Sequence, residues 1–165
     1  REEYEAHGHK FSDRYTRTKD NVGIMRALWS QDEASFVGER ESLEPSWSWP
    51  KPSRNIPLLL GGGSGPRLLS HLFEWGDGWM PIRNPKGSFV DDVVNVHRLA
   101  KEAGRDPASI SITVMNAPQS VDELAELGEL GVDRVVFTIW PQEPDAVLSE
   151  LDRFTSIADS FLSRT

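Results

Sequence analysis

Hydrophobic and polar positions change period along this chain, and each change marks an element. Between Ser12 and Trp29, the residues Tyr15, Thr18, Val22, Met25 and Trp29 recur at spacings of three and four, which predicts an amphipathic helix. From residue 30 to 55 the pattern breaks at Gly38, Pro45, Pro50 and Pro52 and carries Trp47-Ser48-Trp49. A flexible linker rarely holds so many tryptophans, so the segment reads as a long ordered excursion with one short strand.

From Ile56 the pattern becomes regular. The apolar run 56–60 predicts a strand, and residues 66–75 a helix with Leu68, Leu69, Leu72 and Phe73 on its buried side. Pro66 suits the first helical position, with Ser64 or Gly65 as the cap. A strand over 78–82 precedes a helix over 89–103, which Ser88 and Asp91 open and Gly104 stops. Ser109 to Met115 alternates, with Ile110, Ile112 and Val114 on one face. A helix over 121–130 follows, begun by Ser120 with Glu123 and ended by Gly131. Arg134 to Trp140 is the last strand. The last helix, 144–162, lines up Val147, Leu151, Phe154, Ala158 and Phe161 as one stripe.

Strands alternating with helices imply a parallel sheet with right-handed crossovers. Two architectures fit: an open doubly wound sheet, or half of an eight-stranded barrel. Four strands make a small open sheet, and a Rossmann opening normally starts on a strand rather than on a helix and an excursion. One domain over 1–165 is expected, with 1–55 as helix plus insertion and 56–165 as four β/α units.

Charge and composition narrow the function. The 165 residues hold 18 Lys and Arg against 26 Asp and Glu, a net charge of −8. That balance argues against non-specific binding to nucleic acid or to an anionic membrane. The absence of cysteine excludes a disulfide framework, a Cys-based zinc site and a thiol nucleophile, and it fits a reducing cytoplasm. The longest apolar run, Ile56 to Leu60, is too short to span a bilayer. The chain opens on Arg1-Glu2-Glu3 without an initiator Met or an apolar segment, as though cut from a longer protein.

Candidate chemistry centres on Gly61-Gly62-Gly63-Ser64-Gly65-Pro66. A glycine turn between a strand and a helix offers bare N–H groups to an anion, and barrel phosphate sites favour the C-terminal end of a late strand. The same glycines would also serve a tight βα turn, and the run lacks the Lys of a P-loop. Asp77, between two glycines, reads as a turn former at the start of its strand. Arg83 lies at the productive end of the second strand, within reach of an anionic cofactor tail, with solvent exposure as the default. His7, His9, His71 and His97 read as structural or solvated, and no metal site is expected. Glu39-Arg40-Glu41 and the acids of 121–130 read as solvated surface, and Trp47 and Trp49 as padding for a substrate pocket or, more commonly for buried aromatics, cover for a barrel wall. No Gly-x-Ser-x-Gly elbow supports serine hydrolysis.

Five stretches in register resemble the bacterial luciferase-like oxidoreductases, especially the type that uses the deazaflavin coenzyme F420. They are Trp47–Pro52, Ile56–Pro66, Gly76–Pro81, Glu102–Pro107 and Gly131–Phe137. The resemblance implies the C-terminal half of a (β/α)8 TIM barrel, with the last four strands. It implies that Gly62, Gly63, Ser64 and Gly65 help bind the phosphate of F420 or FMN. It places the catalytic residues on earlier strands that this chain lacks. The implied activity is hydride transfer or oxygen activation on a small organic substrate. The two unpaired strand edges of a half-barrel predict homo-oligomerisation or pairing with the missing barrel half. The alternative is a non-catalytic half-barrel that binds a phosphate compound or a partner.

Overall fold

A computed structural model describes residues 1–84 and 89–164. They form two compact units, which meet in sequence between Ile56 and Pro57.

The first unit holds a short helix α1 (Glu2–Ala6), a 3-10 turn, the long helix α2 (Arg14–Ser30) and a hairpin of β1 (Ala34–Val37) and β2 (Ser42–Ser46). The excursion therefore contains two antiparallel strands where the sequence suggests one. The buried face of α2 also differs from the expected one. Asp20, Val22 and Ala27 are buried, whereas Tyr15 is exposed. A carboxylate and a glycine organise this face, and neither shows in an apolar count. Gly23 leaves room for the ring of Phe36, which would clash with any Cβ there.

Asp20 Oδ2 accepts the N–H groups of Arg40 at 2.7 Å and Glu41 at 3.1 Å, tying the hairpin turn to the helix. Gly38 is required at this turn, because a Cβ would lie 2.6 Å from both Asp20 Oδ1 and the Glu41 carbonyl. Arg17 pairs with Glu41 over the same turn, so Glu41 is not the solvated acid expected from sequence. Burial pushes the Asp20 carboxyl up, but the N–H groups of Arg40, Glu41 and Glu39 and the charge of Lys19 outweigh it. The group sits below the usual carboxylate range. Lys51 closes the other end of α2, donating to the carbonyls of Leu28 at 2.8 Å and Gln31 at 2.6 Å, where a cation suits the helix dipole. Trp47 and Trp49 are 67% and 65% exposed, so they do not have the buried role expected of them.

The second unit repeats strand and helix. Its elements are β3 (Leu59–Gly61), α3 (Pro66–Glu74), β4 (Gly78–Met80), α4 (Phe89–Glu102), β5 (Ser111–Met115), α5 (Val121–Glu129), β6 (Arg134–Val136) and α6 (Pro144–Leu162). The four strands are parallel and lie in the order β3-β4-β5-β6. A doubly wound sheet reverses its strand order at a switch point; this sheet does not. With right-handed crossovers every helix falls on one face, which is the winding of half a barrel.

That face holds the core of Leu69, Leu72, Trp79, Val93, Val96, Ala100, Ile110, Ile112 and Val114. Each fully buried Val, Leu or Ile contributes about 1.5–3 kcal/mol. Pro66 is at the first helical position of α3 as predicted, and Gly104 and Gly131 end their helices with φ of 76° and 94°. The strands are shorter than predicted. β3 is an edge strand, and Pro57 has no N–H with which to extend it. Beyond Met80, among the described residues, only Ile82 bridges, to Met115. The predicted cap Ser88 lies outside the described residues. Ser120 is the N-cap of α5 but makes no side-chain capping bond.

Two aspartates pin the lower ends of the strands. The Leu58 N–H donates to Asp77 Oδ2 at 2.9 Å, and the Ile112 N–H donates to Asp133 Oδ2 at 2.7 Å. Asp77 is thus the turn former that its position suggests.

Replacing Asp20 by Ala leaves two hairpin N–H groups without their acceptor and should cost roughly 1–3 kcal/mol in denaturant unfolding. Because the folded-state pKa lies below the unfolded value, the carboxylate's contribution is complete above the ordinary carboxylate range. It is lost as pH falls through the folded-state pKa. Urea midpoints between about pH 7 and pH 3 should fall less in Asp20→Asn than in the wild type.

Candidate functional site

The upper rim of the sheet, where the strands end, carries the candidate residues. β3 ends at Gly61, and Gly62 to Gly65 turn the chain into α3. Gly62 has φ of 138°, and a Cβ there would lie 2.8 Å from Leu68 Cδ1, so the fold itself requires glycine. Gly63 and Gly65 differ. Neither has a left-handed φ, and no atom lies within 4 Å of a Cβ built on either. Packing in this chain gives no reason for glycine at these two positions.

The turn is held from below and from one side. The Gly62 N–H donates to the Met80 carbonyl at 3.4 Å. The Trp79 indole N–H donates to the Gly62 carbonyl at 2.9 Å. Trp79 is buried in the helix-side core and stacks on Phe89 with ring centroids 6.1 Å apart. The Gly65 carbonyl accepts the Leu69 N–H at 3.1 Å, as an N-cap residue does. With the carbonyls of Gly62 and Gly65 so used, the N–H groups of Gly63, Ser64 and Gly65 have no acceptor among the described residues.

Ser64 does not cap α3. Its hydroxyl donates to Asp92 Oδ1 at 2.6 Å, linking the turn to the first turn of α4. A carboxylate therefore stands beside the turn, and an anion bound there would meet the amides on the side away from Asp92. Arg83, the candidate for an anionic tail, is half-buried and bonds Glu123 Oε1 through Nη2 at 2.9 Å. The salt bridge forms because α5 brings its first turn to the same rim. The two residues line a cavity of about 420 Å³ with Phe89, Pro118, Glu126 and Leu130. Asn116, at the top of β5, has φ of 60°, a conformation that Asn tolerates better than most residues.

His71 and His97 lie within α3 and α4. Among the described residues no cluster of His, Asp and Glu has the arrangement of a metal site. His71 Nδ1 accepts the Trp75 indole N–H at 3.2 Å. No described helix is long and apolar enough to cross a membrane. Sequence reasoning found the glycine turn but missed Trp79, Asp92, Glu123 and Asn116. Trp79 had one signal, its place in Gly76-Asp77-Gly78-Trp79. Asp92 had none, since it is 28 residues from Ser64.

The sequence profile of the luciferase-like monooxygenases matches residues 1–131. An uncharacterized protein of Mycobacterium tuberculosis is 32% identical over 154 residues, covering 91% of this chain and 53% of that protein. Pyrimidine monooxygenase RutA of Allorhizobium ampelinum is 30% identical over 131 residues, covering 74% of this chain and 35% of RutA. A solved F420-dependent secondary alcohol dehydrogenase, in complex with an F420-acetone adduct, superposes with a TM-score of 0.52. It is 18% identical and covers 90% of this chain and 55% of that one, a likeness of fold alone. The chain thus spans about half the length of the first of these relatives, or less in the case of RutA.

Trp79→Phe keeps most of the buried ring but removes the donor to the Gly62 carbonyl. It should lower unfolding stability by about 1–3 kcal/mol, read from denaturant midpoints. An unchanged midpoint would mean that the indole bond does not hold the turn.

Proposed function

This chain belongs to the luciferase-like monooxygenase family, and on that premise we propose that its glycine turn holds the phosphate of F420 or FMN in an oxidoreductase acting on a small organic substrate. One observation carries the reading. Gly63 and Gly65 have open space where a side chain would stand, and the fold does not itself require glycine there. The donors fit a phosphate: three neighbouring N–H groups without acceptors among the described residues, at the N-terminus of α3 and beside an exposed surface.

Gly63, Ser64 and Gly65 bind the phosphate through their main-chain N–H groups. Gly62 sets the turn, and Trp79 fixes it. The bound coenzyme supplies hydride transfer or oxygen activation. Residues that flank the reactive ring belong to the other half of the barrel, so catalysis requires pairing with that half. The absence of cysteine agrees with a reducing cytoplasm as the place of action.

A second reading is a non-catalytic half-barrel that binds a phosphate compound or a partner protein. The Asp92 carboxylate beside Ser64 favours the partner-protein form of it, because a carboxylate there opposes any phosphate.

Fluorescence titration with FMN and with F420 separates these readings. The first predicts saturable binding of at least one coenzyme. Gly63→Val, whose Cβ enters open space at a position without a left-handed φ, should weaken it at least about tenfold while the melting temperature stays put. Binding that is unchanged in Gly63→Val would place the phosphate elsewhere. No binding by either coenzyme would leave the second reading.

A further inference from the structure

A carboxylate rather than a cation is bonded to the glycine turn. Asp92, exposed in the first turn of α4, accepts the Ser64 hydroxyl on Oδ1 at 2.6 Å. A serine hydroxyl has a single proton. With that proton given to Asp92, Ser64 Oγ shows a ligand only lone pairs, and the donors left to the turn are the N–H groups of Gly63, Ser64 and Gly65. Residues 61–66 contain no Lys or Arg. Arg67, which follows them, is exposed and has interactions of its own.

Such a turn treats two kinds of phosphate differently. A phosphate monoester carries a charge of about −2 at neutral pH, and a second ester linkage removes one of those charges. The N-terminus of α3 supplies roughly half a positive charge, whereas Asp92 supplies a whole negative one. At like distances, the second charge of a monoester therefore loses about twice as much to the carboxylate as it gains from the helix. A diester gives up that charge and still keeps two unesterified oxygens to accept the amide N–H groups.

Building on the coenzyme-phosphate reading above, we propose that Asp92 is a specificity-determining residue that turns the site toward a phosphodiester and away from a phosphomonoester. F420 carries its phosphate as a diester and FMN as a monoester, so the turn favours F420. Ser64 serves this selection by holding the Asp92 carboxylate against the turn.

The test uses the full chain with FMN and with FMN methylated on its phosphate, two ligands that share a ring system and differ by one charge. Flavin fluorescence at low salt, where screening is weak, should show the methyl ester binding about threefold more tightly than FMN. Asp92→Asn keeps an acceptor for Ser64 and removes the charge. It should tighten FMN about tenfold and the ester about threefold, so that the preference disappears. Asp152→Asn, on α6 after the other edge strand, changes the net charge by the same amount and should leave the preference intact. Wild-type binding of FMN as tight as that of its ester would overturn the proposal. So would an unchanged ratio in Asp92→Asn, or loss of the preference in Asp152→Asn. In those cases the phosphate reading stands as long as Gly63→Val weakens both ligands. Failure of both ligands to bind, or indifference of both to Gly63→Val, would overturn the phosphate reading and the proposal with it.

Discussion

Parallel pairing between strands that follow one another in the chain governs this molecule. Because β4 lies beside β3, β5 beside β4 and β6 beside β5, each crossover of the same hand returns its helix to the same side. The helix-side core of Trp79, Ile112 and Val114 follows from that winding. So does the collection of the described strand ends on one rim. The glycine turn, Arg83 with Glu123, and Asn116 share that rim although 62 and 123 are far apart in sequence.

The pairing is tight enough to dictate single residues. Gly78 sits between β3 and β5, where a Cβ would lie 2.5 Å from Leu59 Cδ2 and 2.6 Å from the Ser111 carbonyl. Asp77 and Asp133 then clamp the lower ends, each accepting an N–H from the preceding strand. The lower rim is thus built for stability, and the upper rim leaves main-chain donors open. That division is the one expected of barrel units, whose binding groups gather where the strands end.

What could be read from the sequence was local. The helix over 144–162, the proline that opens α3 and the glycines that end α4 and α5 follow from periodicity and backbone preference, and they stand where predicted. The family and the half-barrel fold were also legible, because five stretches resemble the family in order and spacing, and so was the position of the glycine turn. Interactions between distant residues were not. Asp20 reaches Arg40 and Glu41 across 20 and 21 residues, and it adds a buried carboxylate to α2 that an apolar count does not show. Ser64 was a plausible helix cap until Asp92 drew its hydroxyl away. Arg83 looked like a solvent-facing cation until α5 brought Glu123 to it. In each case a side chain chose between a local partner and a remote one, and periodicity carries no information about the remote one.

The central claim is that the main-chain amides at residues 63–65 receive the charged end of a redox coenzyme. The direct measurement is a two-dimensional amide NMR titration of the nitrogen-15-labelled chain with FMN and F420. The account predicts that the largest and saturable shifts belong to Gly63, Ser64 and Gly65, while Asp77 and Asp133 at the opposite rim stay still. Saturable binding that moves other amides and leaves these three unmoved would contradict it.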